Sequence, residues 1–188
     1  MKEKITTAIQ KHKLYAQKIA KRLKGFTLIE LLIVFTIIGI LASFIFPRLQ
    51  AAKSKTYMSR AQSEFKAMNT ALAQYYLDTN NYPPDANRDI PPGIGQYLAG
   101  YQSNTWPKAP WPGSIYDWEN WTDNNGEKIY QISIRFCPAG GSLSTCNFPT
   151  ESWAANFGVN SSVYYCIEGS CRSHINESPS YPGYCVNC

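Results

Sequence analysis

Histidine is almost missing from this chain of 188 residues, with only His12 and His174. The second sits in Cys171-Arg-Ser-His174 with no nucleophile set beside it in the pattern that covalent catalysis requires. No glycine-rich phosphate loop follows a strand pattern and no His-Glu-x-x-His zinc hydrolase helix occurs, so an enzyme reading has no residues to rest on. Acid is missing from residues 1–25 except for Glu3, and charge is missing from Phe26 to Phe46 except for Glu30. Glycine and proline are missing from Arg48 through Asn80, and cysteine is missing until Cys137. Each gap marks a different material, and the four together lay out the chain.

The uncharged gap is the most constraining. From Phe26 to Phe46 there are 21 residues, and at about 1.5 Å of rise each a helix of that length reaches roughly 31 Å, one hydrocarbon thickness. An acid inside such a span costs on the order of 2.5–3.5 kcal/mol at the bilayer centre and is seldom kept without a partner. Cleavage between Gly25 and Phe26 would create an amine one helical turn from Glu30, on the same chain or on a neighbouring helix. Ordinary signal-peptide removal fits less well, because the apolar run is longer than the usual ~7–15 residues and the small residues after it, Ala51 and Ala52, follow Arg48.

At this point the residues carry a resemblance. Gly25-Phe26-Thr27-Leu28-Ile29-Glu30 resembles the cleavage and methylation motif of type IV pilins and type II secretion pseudopilins, and Gly39 and Pro47 fall where that family places a helix-loosening glycine and proline. Tyr76-Leu77-Asp78-Thr79-Asn80-Asn81-Tyr82-Pro83 resembles the end of the same helix in major pseudopilins and related pilins. The resemblance runs from Gly25 to about Pro84, roughly a third of the chain. It implies a prepilin peptidase that cuts after Gly25 and methylates Phe26, an assembly platform in the inner membrane, and packing against identical or related subunits in which Glu30 takes the amine of a neighbouring Phe26. Lipid surrounds the apolar helix before assembly. The filament serves attachment, motility, DNA uptake or secretion, and the cysteine-rich head favours a surface pilin.

The net charge of +5 comes from the leader, where eight lysines and arginines face one acid. The remainder holds 10 basic and 12 acidic residues, so nucleic acid is not indicated as a partner of the mature chain. Basic residues beside a span stay on the cytoplasmic side, which puts the C-terminus outside. Apolar residues at Ile5, Ala8, Ile9, Tyr15, Ile19 and Leu23 allow the leader to lie as an amphipathic helix on the inner leaflet, or to be a disordered basic tail.

Beyond the span, Tyr57, Ala61, Phe65, Met68, Leu72 and Tyr75 recur at helical steps and form one apolar stripe for packing against a domain. Asn80, Asn81, Pro83 and Pro84 stop that helix. Gly39 and Pro47 weaken it, and the stretch between them is expected to bend in the monomer and to unwind or stretch when helices pack in a filament. Residues 82–113 are rich in proline and glycine and read as irregular, with a short helical turn at Gln96 to Tyr101. Strands begin near Ile115. From Ile129 to Phe136, Tyr130, Ile132, Ile134 and Phe136 alternate with Gln131, Ser133 and Arg135, a strand with one buried face; Val163, Tyr165 and Ile167 repeat the alternation.

The expected fold class is therefore α+β and pilin-like: a long N-terminal helix packed against a small antiparallel sheet. Its parts are a basic leader removed at 1–25, a membrane-spanning and filament-core helix at 26–47, an amphipathic helix at 48–80, and an irregular loop with a disulfide-tied β head at 81–188. The six cysteines, Cys137, Cys146, Cys166, Cys171, Cys185 and Cys188, are even in number and exported, which favours disulfides. Spacing suits Cys137 with Cys146 and Cys166 with Cys171, while the last pair is free to close locally or to staple the tail to the sheet. Cys185-x-x-Cys188 is half of a zinc motif without a second half. Asp117, Glu119, Asp123 and Asn125 are oxygen donors close enough in sequence to hold Ca2+, although Asn125-Gly126 also reads as a hairpin turn that needs no metal. Five tryptophans fill the core or form a binding surface for sugar or protein. The rival to a polymerising subunit is a membrane-anchored extracellular binding module that never assembles.

Overall fold

The computed structural model describes residues 25–98 and 105–188. Residues 1–24 of the leader, with its amphipathic-helix reading, lie outside the described residues, and so does the second half of the helical turn expected at Gln96 to Tyr101. What is seen nearby is one 3-10 turn at Ile94–Gln96. The chain divides into two compact units, Met1–Gln50 and Ala51–Cys188.

The first element, α1, is helical from Leu28 to Thr79, through both Gly39 and Pro47. In the first unit its side chains are exposed almost without exception, Phe26, Leu28 and Phe35 among them. This helix is long and apolar enough to cross a membrane. The two hydroxyl side chains of its apolar part are satisfied from within: Thr36 Oγ1 donates to Leu32 O at 2.7 Å and Ser43 Oγ to Ile40 O at 2.7 Å. In hydrocarbon, where no water can take an unpaired donor, such internal bonds remove most of the cost of a polar atom.

In the second unit the stripe on α1 does what its spacing predicts. Ala61, Phe65, Met68, Ala71 and Leu72 are buried, with Tyr57, Met58 and Tyr75 partly buried beside them. The helix stops at Asn80, which adopts φ 57° while its N–H donates to Tyr76 O at 2.7 Å. Pro83 and Pro84 then carry the chain away, and Pro83 O accepts from both Trp118 Nε1 and Asn120 Nδ2, at 3.0 and 2.8 Å.

The sheet against which the helix packs has four strands in the order β1 (Ile115–Thr122), β2 (Lys128–Arg135), β3 (Ser162–Glu168) and β4 (Tyr184–Cys185). The first three are antiparallel; β4 is parallel to β3, so the sheet is mixed rather than wholly antiparallel. Tyr116 and Trp118 of β1, Ile132 and Ile134 of β2, and Val163 of β3 meet Phe65 and Leu72 of the helix in one core. Trp111 and Trp118 lie inside it, Trp106 and Trp153 pack half-buried against it, and Trp121 is buried outside it, so the tryptophans form no exposed platform.

One expectation fails in an informative way. The polar face of β2 is buried as thoroughly as its apolar face: Gln131 and Ser133 are fully enclosed, and Arg135 is 5% exposed. The chain after Cys171 covers it, with Arg172 O accepting from Gln131 Nε2 at 2.7 Å and Ser173 O accepting from Ser162 Oγ at 3.0 Å. Gly169 makes the approach to this cover possible. It sits at φ 85°, and a Cβ there would fall 2.3 Å from Lys128 O.

Candidate functional site

The segment Gly25-Phe26-Thr27-Leu28-Ile29-Glu30 forms the entry into α1. Glu30 Oε2 accepts both the backbone N–H and the hydroxyl of Thr27, each at 2.8 Å, and Thr27 Oγ1 accepts the N–H of Glu30 at 3.3 Å. This reciprocal arrangement is a capping box, which satisfies backbone donors that an uncapped first turn leaves unpaired. Within the single chain, Thr27 is therefore the partner of the lone acid. Neither Gly25 nor Gly39 has a neighbouring atom within 4 Å of where a Cβ would stand, so neither is held to glycine by crowding inside the chain.

The head holds a second constellation, on the buried polar face of the sheet. Arg135 lies between two carboxylates, Nε 3.2 Å from Asp117 Oδ2 and Nη2 against Glu119 Oε1. Its Nη1 donates to Ser173 O at 2.5 Å and to Asn160 O at 3.2 Å. Glu119 also accepts from Ser133 and Gln131. Burial pushes the Glu119 carboxyl up to about 8, and Asp117 adds to that rise against the lowering pull of Arg135, Ser133 and Gln131. Asp85, at the edge of the same network, is also raised, first by its burial. Burial and then the Arg135 charge lower His174.

All six cysteines are paired locally: Cys137–Cys146, Cys166–Cys171 and Cys185–Cys188. The last pair closes locally, between Cys185 of β4 and Cys188, and makes no covalent link to another strand. Asn187 does the stapling, its Oδ1 accepting from Cys166 N at 2.8 Å and its Nδ2 donating to Cys166 O at 2.7 Å, while Val186 N donates to Tyr164 O at 2.8 Å.

Comparison with known proteins agrees with the geometry at the N-terminus. Residues 20–46 match the family model described as the prokaryotic N-terminal methylation motif. The chain is 37% identical over 99 residues to the type II secretion system core protein G of Aeromonas hydrophila, covering 48% of this chain and 69% of that protein. It is 35% identical over 101 residues to the protein of the same name from Vibrio cholerae, covering 50% and 68%. The chain belongs to the type IV pilin and pseudopilin family. A fimbrial protein of Pseudomonas aeruginosa is 40% identical over 85 residues, covering 45% of the chain and 53% of that protein. No solved structure matches significantly. The family is one of structural subunits rather than enzymes, which agrees with the lack of a catalytic set.

In this pilin-like subunit the four calcium candidates do not converge. Asp117 and Glu119 point their oxygens at Arg135, and Asp117 Oδ1 also accepts Arg88 N at 2.7 Å. Asp123 and Asn125 belong to the β1–β2 turn, where Asp123 Oδ1 accepts the N–H groups of Asn125 and Glu127, both at 2.9 Å, and Gly126 supplies φ 83°. A guanidinium between the first two carboxylates opposes a cation there, and no group of three or more His, Cys, Asp or Glu among the described residues is arranged to hold a metal. Two features were missed from the sequence. Thr27-x-x-Glu30 is the written signature of a capping box, legible in advance. Asp117 and Glu119 alternate on the strand paired with β2, which places both on the face of Arg135 and was the available sign that this face is neutralised internally.

Proposed function

We propose that this chain is a prepilin or pseudopilin whose leader is cut after Gly25 by a prepilin peptidase, which then methylates Phe26, and that the mature subunit polymerises from the inner membrane into a pilus-like filament. The supporting observation is Glu30. It is the one acid in an exposed apolar helix, and both bonds from Thr27 fall on Oε2. Its second oxygen, Oε1, takes the new amine of a neighbouring Phe26, so that a charge pair forms only after cleavage and sets the axial register. The leader keeps the uncut chain oriented with its basic residues in the cytoplasm and the head outside. Moving the helix from lipid into a filament core exchanges one apolar surrounding for another, so packing and the Glu30 pair decide the balance. The stretch from Gly39 to Pro47, helical here, is the part expected to unwind when subunits pack.

The test combines N-terminal mass analysis of the mature protein with electron microscopy of filaments sheared from cells. Glu30→Ala is expected to leave insertion and cleavage intact and to abolish or severely reduce filaments, whereas substitution of Gly25 leaves the leader attached. Normal filaments from Glu30→Ala would refute the pairing. An unprocessed, monodisperse wild-type protein would instead favour a membrane-anchored binding module.

A further inference from the structure

On the head, a polar cavity of about 510 Å3 lies between the β1–β2 turn and the loop after Cys171. That size falls within the ~300–1,000 Å3 of small-molecule sites. Arg172 lines it and is 8% exposed. Among the described residues the one ionic neighbour of its guanidinium is Asp123, with Nη1 3.9 Å from Oδ2, too far for a hydrogen bond. Its Nε is buried with no acceptor. That nitrogen is itself enclosed, so Nη1, which has no hydrogen-bond acceptor among the described residues, is the donor that a ligand oxygen in the cavity would meet. Arg172 is also held from behind. Its N–H donates to Gln131 Oε1 at 3.1 Å and its C=O accepts from Gln131 Nε2, tying it to the enclosed polar layer of the sheet.

The other walls narrow the ligand class. Asp123 and Glu177 oppose an anion, while Arg172 opposes a cation. Asn124 and Asn176 are exposed at the rim and supply neutral donors and acceptors, and Ile175 and Pro179 supply apolar facets. A neutral ring bearing many hydroxyls meets all of these terms at once: an oxygen accepts from Arg172, hydroxyls donate to the carboxylates, and the C–H face lies on the apolar facets. We propose that this cavity is a carbohydrate-binding site. It goes beyond the filament role and does not depend on it, since every residue involved is in the head.

The experiment uses the full chain in a detergent without a sugar headgroup and reads saturation-transfer NMR with the methyl glycosides of glucose, galactose and N-acetylglucosamine. Wild type is expected to transfer saturation to the ring protons of at least one glycoside. The rim variant Asn124→Ala/Asn176→Ala should bind about tenfold more weakly, the equivalent of one lost hydrogen bond, with an unchanged Tm. Arg172→Lys, which keeps the charge but lacks the Nη1 donor, should lose the signal. No transfer from any of the three glycosides at tens of millimolar overturns the proposal, as does equal binding by the rim variant. Inorganic phosphate that binds the wild type and displaces the glycoside also overturns it, because the cavity would then be an anion site.

Discussion

Replacing Arg135 with methionine keeps much of the buried volume and removes the only cation between Asp117 and Glu119. Asp117 keeps the N–H of Arg88, and Glu119 keeps Ser133 and Gln131, so neither carboxylate is stripped bare. Asp117 nevertheless loses its counter-ion and Glu119 the guanidinium that opposes the rise in its pKa, and breaking a buried pair from one side costs about 3–5 kcal/mol. For a unit of the size of Ala51–Cys188 that corresponds to a fall in Tm of roughly 10–20 °C. The loss depends on pH, because Glu119, without the Arg135 charge that lowers its pKa, binds its proton still more tightly in the fold than in the unfolded chain. The variant should therefore be least destabilised near pH 5 and most destabilised near pH 8. Near-UV circular dichroism melts of wild type, Arg135→Met and Arg135→Lys at both pH values measure this. Lysine should restore only part of the stability, since one ammonium cannot reach the acids and the Ser173 and Asn160 carbonyls together. A loss below about 1 kcal/mol at pH 8, or a gap that does not change with pH, would refute the idea that this cluster is a coupled buried network.

The wild-type head carries its own pH dependence. Glu119 has a folded-state pKa raised to about 8, so its contribution is fully present below the ordinary carboxyl range and is lost as pH rises through about 8. The Tm should fall between about pH 5 and pH 8, and Glu119→Gln should flatten that decline; an equal decline in the variant would remove Glu119 as its source. Phe65→Ala, at a fully buried position in ring contact with Tyr116 and Tyr165, should cost the head about 3–5 kcal/mol, read by urea denaturation, while membrane insertion stays unchanged. Thr27→Val deletes the hydroxyl of the capping box and should weaken the first turn of α1 by about 1 kcal/mol, visible as faster amide exchange from Leu28 to Leu31. Unaltered exchange there would mean that the box contributes nothing to the start of the helix.

Much of this molecule is determined at the level of sequence because its signals are local. A run of 21 residues with one charge, a gap free of glycine and proline, and the stop at Asn80 each act through the helix they belong to. The alternation in β2 and β3 also acts locally, and so does the turn at Gly126. The motif around Gly25 and Phe26 is likewise contiguous, and it was legible without any fold.

What the sequence alone left undecided depends on segments far apart in the chain. Nothing within residues 129–136 tells that Gln131, Ser133 and Arg135 are sealed over, because their cover comes from residues about forty positions later. The same pattern on an uncovered sheet would face water. The tail offers a similar case: in the sequence the last cysteine pair is open to either a local closure or a staple, and only the fold shows that the amide of Asn187 holds the tail to Cys166. The four oxygen donors of β1 and its turn suit either a cation or a plain hairpin in the sequence, and only strand pairing shows that an arginine lies between two of them. Local periodicity decides which face of an element is apolar, but whether the opposite face meets water, another segment or a ligand is a question of long-range packing, and only the tertiary structure answers it.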